Sequence, residues 1–258
     1  DSISINTNTQ SAVKARDLRS NSKQILKLKK AYEAKYSNGF FATKRGEIIP
    51  ADKDKQYCIE LSYLGKNLTA WYMQRPNLSY GETKIFDKYF NTLFKNDYLP
   101  EDAYALSFWM RKIMDAWTQE NPLGLEEELL TMKAYAPYHL LFAISMVFAK
   151  CNNQTNVPSP SECLKVASEN NLVDSIINIA ANCLNSAISA EKNNCEQNNR
   201  SFIPQNWVKN KSCNAGIMSA IQNYFSFLPT MNKEMDSKLK NGVKIDSKYF
   251  SYRVQAED

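Results

Sequence analysis

The residues best placed for chemistry lie near the start of the chain, and they are amides and cations. Asn8 and Gln10 stand in an Asn/Thr-rich stretch, Ile5-Asn6-Thr7-Asn8-Thr9-Gln10. Their side chains offer donors and acceptors without charge. That chemistry suits the edge of a nucleotide or phosphodiester pocket completed by other residues. The plain alternative is a turn at a strand end, since Asn bonds readily to its own backbone. Arg16 and Arg19 carry forked guanidinium groups that can hold a phosphate, or pair instead with Asp17 or Glu33. Lys44-Arg45-Gly46-Glu47 follows Phe40 and Phe41. The cations there suit a nucleic-acid backbone and either ring suits stacking on a base; otherwise the segment is a charged hairpin packed through its aromatics. A metal-dependent nuclease core using Lys44 and Glu47 needs a further carboxylate, and Asp52 and Asp54 are the near ones in sequence.

Charge patterning supports a basic face. Residues 11–47 hold ten Lys/Arg and three acids, a local +7, while the whole chain is +5. The remainder is therefore −2, and an anionic partner is expected at the N-terminal segment. The residues expected to contact nucleic acid are Arg16, Arg19, Lys23, Lys27, Lys30, Phe41, Lys44 and Arg45, with Asn8 and Gln10 at a pocket edge. Phosphate contacts of this kind give affinity with little sequence preference.

Other chemistries lack their residues. Six cysteines form no CxxC pair, and His139 is the one histidine, so no zinc ligand set is expected and no metal or cofactor is implied. Free thiols are the reading for the cysteines. His139 lies in an apolar stretch and reads as a core or interface residue. No Ser-His-Asp set, P-loop or dinucleotide fingerprint is present. Five Asn-x-Ser/Thr sequons, starting at Asn67, Asn77, Asn153, Asn199 and Asn210, are expected by chance in so Asn-rich a chain.

These residues need elements to hold them. With 43% hydrophobic residues and only 7 Gly, the chain can build a sizeable core and reads as helical. No apolar run reaches the ~18–20 residues of a bilayer crossing, and no basic-then-apolar leader opens the chain, so a cytoplasmic protein with no membrane partner is expected. The start at Asp1 rather than Met reads as a piece of a longer protein. Ile3 and Ile5 suggest a short strand. Ile25, Leu28 and Tyr32 recur at helical spacing and predict a helix over 22–36, capped by Ser20 or Asn21. Residues 39–49 read as a hairpin or two short strands. Helices are then expected over 57–74, from a capping box at Ser79–Glu82, and over 101–119, 125–134, 137–150, 160–169, 172–193 and 205–227. Ser159, Pro160 and Glu162 make a good helix start. The tail beyond Pro229 reads as loosely held, with a strand near 248–254. The expectation is a mainly α fold: a small α/β N-terminal element followed by a multi-helix body. Residues 1–52 would be a small basic α/β segment ending an upstream domain, and 53–258 a helical domain.

Three blocks add a resemblance. Asn6-Thr7-Asn8-Thr9-Gln10-Ser11-Ala12-Val13 with Arg16-Asp17-Leu18-Arg19-Ser20-Asn21 is the first. Gly39-Phe40-Phe41 with Lys44-Arg45-Gly46-Glu47 is the second. Leu68-Thr69-Ala70-Trp71, Arg75-Pro76, Phe86-Asp87-Lys88-Tyr89-Phe90 and Phe94 form the third. In order and spacing they resemble the abortive-infection phage-resistance (AIPR) family, over roughly residues 3–100 and only loosely beyond. The resemblance implies a bacterial antiphage defence role. Family members typically carry, upstream, a Gly-Gln-rich motif similar to ParB-type nucleotide and nuclease pockets; this chain lacks it. If that motif contributes to catalysis, this chain alone is expected to be inactive. The rival expectation is a protein-interaction or homo-oligomerisation module that senses a phage or host protein. A third is part of a nuclease completed by the upstream region.

Overall fold

The computed structural model describes residues 15–95, 97–118 and 120–255. The strand expected at 3–5, and Asn8 and Gln10, lie outside the described residues. Periodicity drives the rest. The described elements run α1 (Ala15–Arg19), α2 (Lys23–Lys35), β1 (Phe40–Ala42), β2 (Cys58–Glu60), α3 (Leu61–Trp71), α4 (Glu82–Asp87), α5 (Phe90–Leu93) and α6 (Pro100–Met114). They continue with α7 (Glu127–Leu130), α8 (Ala136–Cys151), β3 (Val157–Pro158), α9 (Pro160–Glu169), α10 (Val173–Gln197), α11 (Pro204–Trp207), α12 (Lys211–Met231), α13 (Lys233–Gly242) and β4 (Phe250–Ser251). The fold is mainly α with a multi-helix body.

Helix α8 explains the architecture. Nearly every residue from Ala136 to Ala149 is buried, so this helix is apolar all round and must be covered on all sides. Helices α3, α6, α10 and α12 supply the cover. A single apolar cluster then runs from Ile25 on α2 to Val254 in the tail. No helix among the described residues is long and apolar enough to cross a membrane.

Several local expectations are corrected. Segment 39–49 is not a hairpin: β1 pairs in parallel with β2, Phe40 opposite Cys58. Parallel strands need a crossover connection, and residues 43–57 provide it. The boundary expected near residue 52 falls inside that connection. Gly39 marks the close approach, since a Cβ there would lie 2.6 Å from the Tyr57 carbonyl oxygen. The cap of α2 is Ser22, whose hydroxyl accepts from the Ile25 amide. The Ser79–Glu82 capping box does not form; Gly81 is the cap position, and Glu82 accepts from Ser62 Oγ at 2.7 Å. Ser159 does cap α9, accepting from the Glu162 amide.

The tail is held, contrary to its polar composition. Asn152 accepts from the Ile245 amide and donates to the Val243 carbonyl, both at 2.9 Å. Asn170 donates to the Gly242 carbonyl at 2.9 Å. β4 pairs antiparallel with β3, and the Val254 amide donates to the Tyr72 carbonyl at 2.9 Å. Side-chain amides thus reinforce the few apolar anchors of the tail, Leu239, Val243 and Val254.

Candidate nucleic-acid interface

The N-terminal basic segment folds into α1, α2 and the 43–47 loop, and the fold uses up part of its charge. Arg16 is not a surface cation. Its side chain is 10% exposed and pairs with Asp17 and with Glu82, each at 3.4 Å. Arg19 donates through Nε to the Phe86 carbonyl at 3.3 Å and lies 4.8 Å from the centre of the Phe90 ring. It secures α1 to the helices that follow. Phe41 is fully buried, edge-on to Tyr32, so its ring cannot stack on a base. Phe40 is half-buried, with the Lys29 ammonium 4.7 Å from its ring centre.

Lys29 organises the loop. Its Nζ donates to the Phe41 carbonyl at 2.7 Å and lies 3.3 Å from Glu47. Glu47 also accepts from the Thr43 and Lys44 amides, at 2.8 and 3.1 Å. Burial acts to raise the Glu47 pKa, but these amides and Lys29 outweigh it and hold the carboxyl below its usual value. Glu47 is therefore a loop cap, not a metal ligand. Asp54 is likewise committed, to Gln56. No group of three or more His, Cys, Asp or Glu side chains among the described residues could hold a metal ion.

What remains both exposed and without an ion-pair partner among the described residues of this segment is Lys23, Lys30, Lys44 and Arg45. None of the four has an ion-pair partner among the described residues. Lys23 and Lys30 are two helical turns apart and share a face of α2. The Lys29–Glu47 pair ties the loop bearing Lys44 and Arg45 to the same helix. Lys27 sits between them and pairs with Asp97 at 2.8 Å, both side chains more than half exposed. Such an exposed pair contributes only about 0–1 kcal/mol, so a phosphate can displace it.

A second surface escaped the sequence reading. Three cavities of about 770, 360 and 480 Å³ adjoin one another along α12. The first two share Gln74, Met218 and Arg253, and the last two share Arg75 and Lys211. Five cations line them, Arg75, Lys150, Lys209, Lys211 and Arg253, and no Asp or Glu does among the described residues. These cations come from four separate stretches, Lys209 and Lys211 sharing one, so no window of sequence shows a long basic run. Gln74 has a positive φ of 52°. For a residue with a Cβ that conformation costs about 1–3 kcal/mol and tends to occur at functional places.

His139 lines neither surface. It is fully buried on α8, with Nδ1 3.1 Å from the Tyr135 carbonyl oxygen, and burial lowers its pKa to about 4. It stays neutral and belongs to the core.

No protein-family model, no curated protein and no solved structure matches this chain.

Proposed function

We propose that this chain is the helical C-terminal part of an abortive-infection antiphage protein, and that it contacts nucleic acid through phosphates. The motif order in residues 3–100 supports the defence role. One observation carries the contact: Lys23, Lys30, Lys44 and Arg45 stay exposed and unneutralised after folding has paired the other described cations of α2 and α1 or packed them away. Affinity from such contacts is electrostatic and falls steeply with salt.

The test is anisotropy with labelled duplex DNA and RNA at about 50 and about 200 mM salt. Lys44→Ala with Arg45→Ala is expected to lower affinity and to reduce the salt slope by about two. Unchanged duplex affinity in a variant that melts like the parent removes this reading.

A second reading rests on a different observation. An apolar slot of about 680 Å³ lies between α10 and α12, floored by Ala187, Gly216 and Ala220. Beside it Phe227 is 61% and Met231 80% exposed. Exposed apolar patches of this kind mark protein contacts. A phage or host protein, or a second copy of the chain, would then be the partner. Light scattering on the parent and on Phe227→Asp separates the oligomer from the nucleic-acid reading.

A further inference from the structure

We infer that the groove along α12 binds single-stranded nucleic acid, with Lys150, Lys211 and Arg253 at its phosphates and Gln74, Asn214 and Tyr252 at its bases. This site is separate from the α2 surface and stands or falls without it.

The charge is the first ground. Five cations line a continuous depression with no Asp or Glu among its described lining residues. Lys150, Lys209, Lys211 and Arg253 have no ion-pair partner among the described residues. Lys150 donates to Gln222 Oε1 at 2.6 Å, a bond that fixes the ammonium without cancelling its charge. Helix α12 opens with Lys211 and has no acidic residue in its first turn, so its N-terminal end adds positive potential. Lys150, Lys209, Lys211 and Arg253, gathered without an acid among the described lining residues, repel one another, and an anion relieves that.

The lining is the second ground. From Lys211 to Gln222 the helix axis runs about 16 Å, long enough for a chain rather than a lone phosphate. Between the cations the walls carry amides, including Gln74, Asn153 and Asn156. Asn214 donates to Asn77 at 3.1 Å, while its own Oδ1 is buried without a hydrogen-bond partner among the described residues. That oxygen awaits a donor, which the amino or imino groups of a base supply. The strained backbone of Gln74 sets its side chain across the groove, Nε2 against Met146 Sδ at 3.4 Å. Tyr252 is 85% exposed at the rim, where an aromatic ring can stack on a base.

The concave shape favours an unpaired strand. A duplex hides its base edges in its own grooves and is read by elements that protrude. Amides and an exposed ring in a cleft reach splayed bases instead.

The experiment uses the chain as it stands, with labelled (dT)10, (rU)10 and a duplex of equal length at low salt. The parent is expected to bind one or both single strands, the two arms reporting the sugar preference. Lys211→Glu with Arg253→Glu is expected to weaken that binding at least about tenfold, and Tyr252→Ala at least about fivefold. Both charge positions are exposed, so the fold should survive. As a check independent of any variant, Lys209 and Lys211 of the parent should be shielded from an amine-reactive reagent by the single strand. The proposal is overturned by an absence of single-strand binding, or by equal competition from duplex. It is also overturned if the charge-reversed variant melts like the parent and binds as tightly, or if the single strand leaves Lys209 and Lys211 as reactive as in the free parent.

Discussion

Arg16 Nη1 lies 3.4 Å from Glu82 Oε1, joining α1 to the start of α4 across the chain. Glu82 in turn accepts from Ser62 on α3. An arginine that the sequence offers as a phosphate ligand is thus a structural tie between three helices. Removing one partner of a largely buried pair leaves the other charge uncompensated. Glu82 is part-exposed, at 28%, so solvent softens the penalty. Arg16→Ala is expected to lower unfolding free energy by about 2 kcal/mol and to leave nucleic-acid affinity unchanged. Denaturant unfolding beside a binding titration checks both. Lost affinity at unchanged stability would return Arg16 to the interface.

Glu47 makes the 43–47 loop pH-sensitive. Its carboxyl is held below the usual 4.5 because two amides and Lys29 outweigh the effect of burial. A depressed folded pKa means that the stabilisation is present above the unfolded value and is lost as pH falls through the folded one. Glu47→Gln is therefore expected to cost about 1–2 kcal/mol at neutral pH. The gap between variant and parent should close on acidification below pH 4.5. A gap that persists unchanged at low pH contradicts the role of the charge. The same variant should blunt duplex binding, since it loosens the loop that presents Lys44 and Arg45.

His139 gives a second pH window at higher pH. Burial is the largest influence and lowers its pKa to about 4; the Tyr135 and Val208 backbone contacts act the other way without reversing it. The unfolded chain binds a proton near the ordinary value of 6.5, and the folded one resists until about 4. Stability is thus full above about 6.5 and declines as pH falls toward 4, by roughly 3 kcal/mol from this group. His139→Gln removes the titration. Its unfolding midpoint should vary less than the parent's between pH 7 and pH 4.5, whatever its absolute level. Parallel pH profiles would show that His139 is not the group responsible.

Much of the helical body was legible because a local rule sufficed. Ile25, Leu28 and Tyr32 predict α2, and they are buried on it. Ser159-Pro160-Ser161-Glu162 predicts the start of α9, and the Ser159 hydroxyl caps it. The apolar stretch around His139 and the helix expected at 137–150 match α8, which is buried and covered by four others. Where local rules failed, a distant partner had won. Glu82 has the spacing of a capping box, yet it turns to Arg16 and Ser62. Residues 39–49 have hairpin composition, yet β1 finds its partner at Cys58–Glu60.

By itself the sequence determined the periodicities, the Ser159 cap of α9 and the total charge, because none of these needs a distant partner. It therefore specified a mainly α chain and a basic N-terminal stretch. Which cations stay free was decided only in three dimensions. Glu82, Asp97 and Glu101, all outside that stretch, return to neutralise Arg16, Lys27 and Lys35. The fold likewise gathers Arg75, Lys150, Lys211 and Arg253 along α12. Electrostatic neighbours are set by distance through space, and for these residues chain order carries no record of it.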